Sequence, residues 1–191
     1  DYITNEAYKT LRTNIFFSGK GVKTILITSS QENEGKSTIA TELAKSIAES
    51  GKKTLLIDAD MRKSVMLKKS IRSNEVVGLS ELLSGLNTIE EVLFVTQDSN
   101  LDVIFSGHFP PNPVELLGNG EFEKYLNLFN EKYDYIIIDS PPLGLVIDAA
   151  VIATYCDGAI MVVSNGKISR KNAVAVKEQI LKSGCRLLGA V

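Results

Sequence analysis

Short apolar runs, each breaking off into a polar or acidic turn, punctuate this chain: Thr24–Thr28, Thr54–Ile57, Leu101–Phe105, Tyr135–Ile138 and Ala159–Val163. A strand with one wet face alternates apolar and polar residues, whereas these runs are nearly continuous, as expected of strands covered on both faces. Segments of helical period lie between them. Ala7, Leu11 and Ile15 recur at i, i+4 and i+8 in a candidate helix over about residues 5–17. A second helix starts after the turn at 30–38, carries Ile39, Leu43 and Ile47, and is stopped by Gly51. A third follows Ser169, a suitable N-cap, and ends near Gly184. Alternation of this kind predicts an α/β fold with a mostly parallel central sheet and helices on both faces. The final Leu187–Val191 reads as a strand just begun, which leads us to expect a tail beyond it.

With 191 residues, 44% of them hydrophobic and 23% charged, the chain can bury a full core, and one domain over 1–191 is expected. A formal net charge of −2 offers no overall pull toward nucleic acid or anionic lipid. Cys156 and Cys185 lie 29 positions apart, outside any CxxC pair, so neither a disulfide framework nor a zinc site is suggested. His108 lacks companions at ligand spacing and reads as a loop residue. Asp1–Glu6 has neither the basic end nor the apolar run of a signal peptide. The most apolar region, Tyr135–Ala153, is interrupted by Asp139, Pro141, Pro142 and Asp148, too often for a membrane span of about 20 apolar residues.

Chemistry concentrates at the ends of three of the strands. Ser30, Gln31, Glu32, Asn33, Glu34, Gly35, Lys36, Ser37 and Thr38 follow a strand and open a helix, the context of a phosphate-binding loop. Successive backbone N–H groups there can wrap phosphates, and the helix start adds partial positive charge. Lys36 would reach the β- and γ-phosphates of a nucleotide, and the Ser37 hydroxyl would ligate magnesium. Ser30 stands where GxxxxGK[ST] has its first glycine, and Asn33 fills a position suited to positive φ, which asparagine tolerates. A polar strand-to-helix turn capped by Ser37 is the plain structural alternative.

Asp58 and Asp60 close the second run two residues apart, and both can point to one face if the chain stays extended. Close carboxylates repel unless a cation or a shared proton lies between them. Magnesium held by phosphates satisfies that need with one or two carboxylates. Asp139 ends a further run, Ile136–Ile138, before Ser140-Pro141-Pro142, as an aspartate that holds magnesium would. Each aspartate could alone be a turn or cap residue, but ligands gather at the carboxyl ends of parallel strands.

Together Ser30–Thr38, Leu55–Arg62 and Ile136–Pro142 resemble the bacterial tyrosine kinases called BY-kinases, P-loop NTPases that regulate capsule and exopolysaccharide export. In that family they correspond to an altered Walker A loop, the Walker A′ element and the Walker B strand. Pro110–Leu117 is similar to the family's proline-rich turn before a short helix, and Glu6, Lys9 and Arg12 to its Glu-x-x-Arg-x-x-Arg subunit-contact helix within 1–20. Glu32 and Asn33 replace the usual Pro-Gly, and Lys9 replaces the middle arginine, losing a bidentate fork. The family's C-terminal tyrosine cluster is absent, the six tyrosines being scattered.

The resemblance implies ATP and Mg2+ as cofactors and transfer of the γ-phosphoryl group to tyrosine. Asp58 would accept or orient the phenol proton, Asp60 and Asp139 would organise magnesium with Ser37, and Lys36 would neutralise the transferring phosphoryl. It also implies a homo-oligomer, in some cases a ring, with Glu6, Lys9 and Arg12 at the contact. A transmembrane activator or polysaccharide co-polymerase domain, fused or separate, would place the kinase at the cytoplasmic face of the bacterial plasma membrane. Two alternatives share the binding residues. One is a partition- or division-type ATPase of the MinD and ParA group, which carries a signature lysine where this chain has Gln31. The other is a nucleotide-dependent scaffold of the polysaccharide machinery. The absence of a basic stripe argues against nucleic acid as a partner.

Overall fold

The computed structural model describes residues 2–19, 21–66, 76–98, 100–164, 166 and 168–191. Its seven strands are β1 (Thr24–Ser29), β2 (Thr54–Asp58), β3 (Leu93–Val95), β4 (Leu101–Ile104), β5 (Tyr135–Asp139), β6 (Gly158–Val162) and β7 (Arg186–Ala190). They form one sheet in the order β3-β4-β2-β5-β1-β6-β7, parallel throughout except for the β3–β4 edge pair. The helices described are α1 (Tyr2–Phe17), α2 (Lys36–Glu49), α3 (Leu79–Leu83), α4 (Ile89–Val92), α5 (Pro113–Gly118), α6 (Glu121–Lys132), α7 (Asp148–Ala153) and α8 (Arg170–Lys182).

The central strands are buried on both faces, and successive residues feed two separate cores. Ile25, Ile27, Leu56 and Ile137 pack with Ala40, Leu43, Ala44 and Ile47 of α2 and Ile15 of α1. Their neighbours Leu26, Leu55, Ile57, Ile136 and Ile138 pack against Phe122, Leu126 and Phe129 of α6, Ile152 of α7 and Ile180 of α8. Leu43 and Ile47 are fully buried, and each contributes roughly 1.5–3 kcal/mol by leaving water. Gly51 ends the α2 segment as expected, at φ +85°, its N–H donating to the Ala48 carbonyl at 2.9 Å. The Ser169 hydroxyl caps α8 by accepting from the Asn172 N–H.

Elements beyond the expected set have physical reasons of their own. Helix α6 places Phe122, Leu126 and Phe129 on its buried side, with Glu121 and Glu123 in its first turn and Lys132 in its last, complementing the helix dipole. Strand β3 has three residues and two of them are exposed, so no burial pattern marks it. Strand β7 extends from Arg186, paired parallel to β6.

Candidate active site

The three strand ends meet because β1, β5 and β2 are consecutive neighbours in the sheet. Asp58 and Asp139 are Cα partners across β2 and β5, and Asp139 stands beside Ile27 of β1. The Ala59 N–H donates to the Asp139 carbonyl at 2.8 Å, tying the two acidic ends together. The Ser140 N–H donates to the Ile27 carbonyl at 3.2 Å and holds the Walker-B-like end against the strand that feeds the phosphate loop. Gly144 carries this contact further: a Cβ there would lie 2.2 Å from the Ser30 carbonyl oxygen, so any side chain would displace the loop.

The loop itself turns through two left-handed residues, Asn33 at φ +60° and Gly35 at φ +90°. The first matches the expectation for asparagine; the second leaves glycine as the unstrained choice before α2 begins at Lys36. Glu32, Asn33, Gly35, Lys36, Ser37 and Thr38 wall a cleft of about 310 Å³ that also includes Asp60, Arg62, Lys63, Pro141 and Leu145. Ser30, Gln31 and Glu34 do not line this cleft. Ser30 is buried, and its hydroxyl has no partner among the described residues. Glu34 turns inward, accepting from the Gln31 N–H at 2.8 Å and from the Ser164 N–H at 3.2 Å. Gln31 directs its amide to Glu34, and Glu34 braces the loop against the end of β6.

The acidic turn after β2 folds on itself instead of running on as extended chain. The Asp60 N–H donates to Asp58 Oδ1 at 3.1 Å, and the Lys63 N–H donates to Asp60 Oδ1 at 3.0 Å. This places Asp60 in the cleft wall, with Oδ2 at 3.5 Å from Lys36 Nζ, both side chains buried. Asp58 is fully buried behind it and accepts a short hydrogen bond from the Ser64 hydroxyl. Burial, reinforced by the Asp139 carboxylate, pushes the Asp58 carboxyl up to about 8. Burial also raises Asp139, to about 7, against the opposing pull of the Lys36 ammonium and the Ser37 hydroxyl.

One oxygen of Asp139, Oδ1, is buried with no hydrogen-bond partner among the described residues. A buried hard oxygen ligand near Ser37 and Asp60 suits magnesium. Among the described residues no three His, Cys, Asp or Glu side chains form a ready-made metal cage.

Two ion pairs at this site have no counterpart in the sequence expectations. Arg62 grips the buried Asp148 with both arms of its fork, Nε to Oδ1 at 2.9 Å and an Nη to Oδ2 at 3.2 Å. Lys63 reaches across the cleft to Glu32 at 2.6 Å. Arg62 lies within the motif segment itself, but nothing local to Asp148 in sequence announces the pairing.

The expected contact helix is present as α1, with its three residues engaged inside the chain. Lys9 pairs with Glu6 at 2.7 Å along the helix, and Arg12 donates to the Ser46 carbonyl of α2 at 2.5 Å. Arg12 thus faces its own subunit. His108, read as a loop residue, lies in a loop and meets Glu81 at 3.0 Å through Nδ1.

A protein-family profile described as an AAA domain matches residues 22–181. Tyrosine-protein kinase CpsD of Streptococcus agalactiae is 46% identical over 188 residues, which cover 98% of this chain and 82% of that protein. Tyrosine-protein kinase YwqD of Bacillus subtilis (strain 168) is 38% identical over 191 residues, covering 99% and 80%. The kinase domain of the Escherichia coli tyrosine kinase ETK superposes with a TM-score of 0.91 at 33% identity, over 97% of this chain and 73% of that one. With its fold, its strand-end carboxylates and these relatives in agreement, the chain belongs to the bacterial tyrosine-protein kinase family of P-loop proteins.

Proposed function

We propose that this chain is an ATP-dependent, autophosphorylating protein-tyrosine kinase that regulates capsular or exopolysaccharide synthesis and export. One observation carries the reading: the Lys36 ammonium and the Asp60 carboxylate stand 3.5 Å apart in the wall of a single cleft, with Asp58 and Asp139 paired directly behind them.

Phosphoryl transfer depends chiefly on positioning and on neutralising charge. Lys36 supplies a fixed cation for the transferring phosphoryl, and the Asn33–Thr38 backbone lies where phosphates are wrapped. Ser37, Asp60 and Asp139 would hold magnesium, which when bound adds positive charge on the phosphate oxygens. Asp58 is raised toward neutrality, the range in which a carboxylate exchanges protons readily with an acceptor hydroxyl. It does not wall the cleft, so its influence on a phenol acts through the Asp60–Ser64 turn.

The partner reading follows the family. A membrane-spanning activator, fused or separate, would bring the kinase to the cytoplasmic face of the plasma membrane, and the α1 surface with Glu6 and Lys9 would meet a neighbouring subunit in a homo-oligomer. Tyr2 and Ile3, exposed at 79% and 78% on that helix, add apolar area to such a contact. No helix among the described residues is long and apolar enough to cross a membrane.

Incubation of the protein and a membrane activator with γ-labelled ATP tests the activity. Label on tyrosine is the expected result. Label released only as inorganic phosphate would convert the assignment to an ATPase, and no turnover at all would leave a scaffold.

A further inference from the structure

The Glu32–Lys63 pair joins the two walls of the cleft, and neither residue has a part in the chemistry described above. Glu32 projects from the phosphate loop and Lys63 from the turn that carries Asp60, and their side chains meet at 2.6 Å while remaining 45% and 56% exposed. Lys63 is not a freely placed surface lysine. Its N–H is bound to Asp60 Oδ1, and the preceding Arg62 is clamped on buried Asp148. The backbone at 62–63 is therefore pinned, and the lysine stem retains freedom to redirect its charge.

Glu32 places a carboxylate at the lip of a site meant for a polyanion, which is unfavourable unless a cation neutralises it. Lys63 provides that cation. Lys63 also rises from the acidic end of the cleft, beside Asp60, where the terminal phosphate of a bound nucleotide would lie. Phosphate oxygens are stronger partners for an ammonium group than an exposed carboxylate held by one long side chain.

We propose that Lys63 is the residue with which this site distinguishes a nucleoside triphosphate from a diphosphate, and that Glu32 is its built-in competitor. With a diphosphate bound, Lys63 keeps its contact to Glu32. With a triphosphate bound, the ammonium exchanges the carboxylate for the γ-phosphate and Glu32 turns to solvent. The exchange makes the cleft sensitive to the presence of the transferable group before any transfer occurs. The proposal rests on the nucleotide-cleft reading above.

Calorimetry with magnesium and either a non-hydrolysable β,γ-imido ATP analogue or ADP tests it on the wild type, Lys63→Ala, Glu32→Gln and the double variant, all checked for unchanged thermal unfolding. Lys63→Ala is expected to weaken the triphosphate analogue about tenfold, as loss of one charge-assisted contact does, and to leave ADP essentially unchanged. Glu32→Gln is expected to tighten the analogue about two- to fivefold relative to ADP, the worth of an exposed ion pair, whereas in the Lys63→Ala background it should shift both nucleotides alike. Equal weakening of both nucleotides by Lys63→Ala would overturn the proposal while leaving the cleft assignment standing. A triphosphate-over-ADP preference gained by Glu32→Gln even without Lys63 would do the same. A wild-type chain that binds neither nucleotide would remove the cleft reading itself, and this inference with it.

Discussion

Asp58 and Asp139 face each other as register partners at the carboxyl ends of adjacent parallel strands, both essentially out of contact with water. Two carboxyls in that position cannot both ionise cheaply: burial and the Asp139 carboxylate raise Asp58 to about 8, and burial with the nearby Asp60 raises Asp139 to about 7. The site thus stores unfavourable electrostatics that a bound cation would relieve.

Asp58→Asn should therefore stabilise the ligand-free protein in mildly alkaline solution. A raised carboxyl means that the folded chain retains a proton that the unfolded chain has lost between the model-compound range near 3.8 and about 8. Stability accordingly falls as pH rises through that window. The asparagine removes this loss, keeps an acceptor for the Asp60 N–H and offers its amide to Ser64. Thermal or urea unfolding should show a gain on the order of 2 kcal/mol near pH 8, closing toward pH 5, together with loss of tyrosine phosphorylation. A variant no more stable at pH 8 than at pH 5, relative to wild type, would contradict the assigned electrostatics.

Lys36→Met removes the buried cation at 3.5 Å from Asp60. We expect the fold to survive, since methionine occupies a similar length of stem, and phosphorylation of tyrosine to fall by about 100-fold or more, as when a fixed charge for the transition state is deleted. Circular dichroism beside a labelled-ATP assay measures both effects. Near-normal transfer would exclude Lys36 from the chemistry.

Glu34 separates a bracing role from a ligand role. Its carboxylate satisfies the part-buried Gln31 and Ser164 amides, so Glu34→Ala should cost about 1 kcal/mol by removing these hydrogen bonds and should weaken Mg·ATP binding through a loosened loop. Glu34→Gln retains one acceptor oxygen and should recover part of both losses. Equal behaviour of the two variants in unfolding and calorimetry would argue against the brace.

At the N-terminal helix the positions are expected to differ in kind. Arg12→Ala loses hydrogen bonds onto Ser46 of α2 and should destabilise the chain by about 1 kcal/mol, with faster amide exchange along α1. Lys9→Ala breaks only a half-exposed i, i+3 pair and should change stability by about 0.5 kcal/mol at most. Sedimentation of both variants then tests subunit contact: dissociation by Lys9→Ala without loss of stability would place the interface on the Glu6–Lys9 surface.

The residues at 24–28, 54–57 and 135–138 announced buried strands because their apolar runs have no polar alternation, and the sheet confirms it by packing successive residues into two cores. Asn33 was legible for a related reason: positive φ restricts residue choice locally, and local restriction leaves a trace in sequence. The three-residue strand β3 left no such trace, because an edge strand that is half solvated needs no pattern.

Sequence by itself determined the fold class, the loop at 30–38 and the two acidic strand ends, since periodicity, backbone conformation and strand termini are properties of neighbours along the chain. Only the tertiary structure decided how those ends share work. It turned Glu34 inward, matched Arg62 with Asp148 over 86 positions, joined Lys63 to Glu32, and raised Asp58 by seating it beside Asp139. Burial and charge pairing depend on what lies across space, and in a parallel sheet the neighbour across space is a strand from a distant part of the chain.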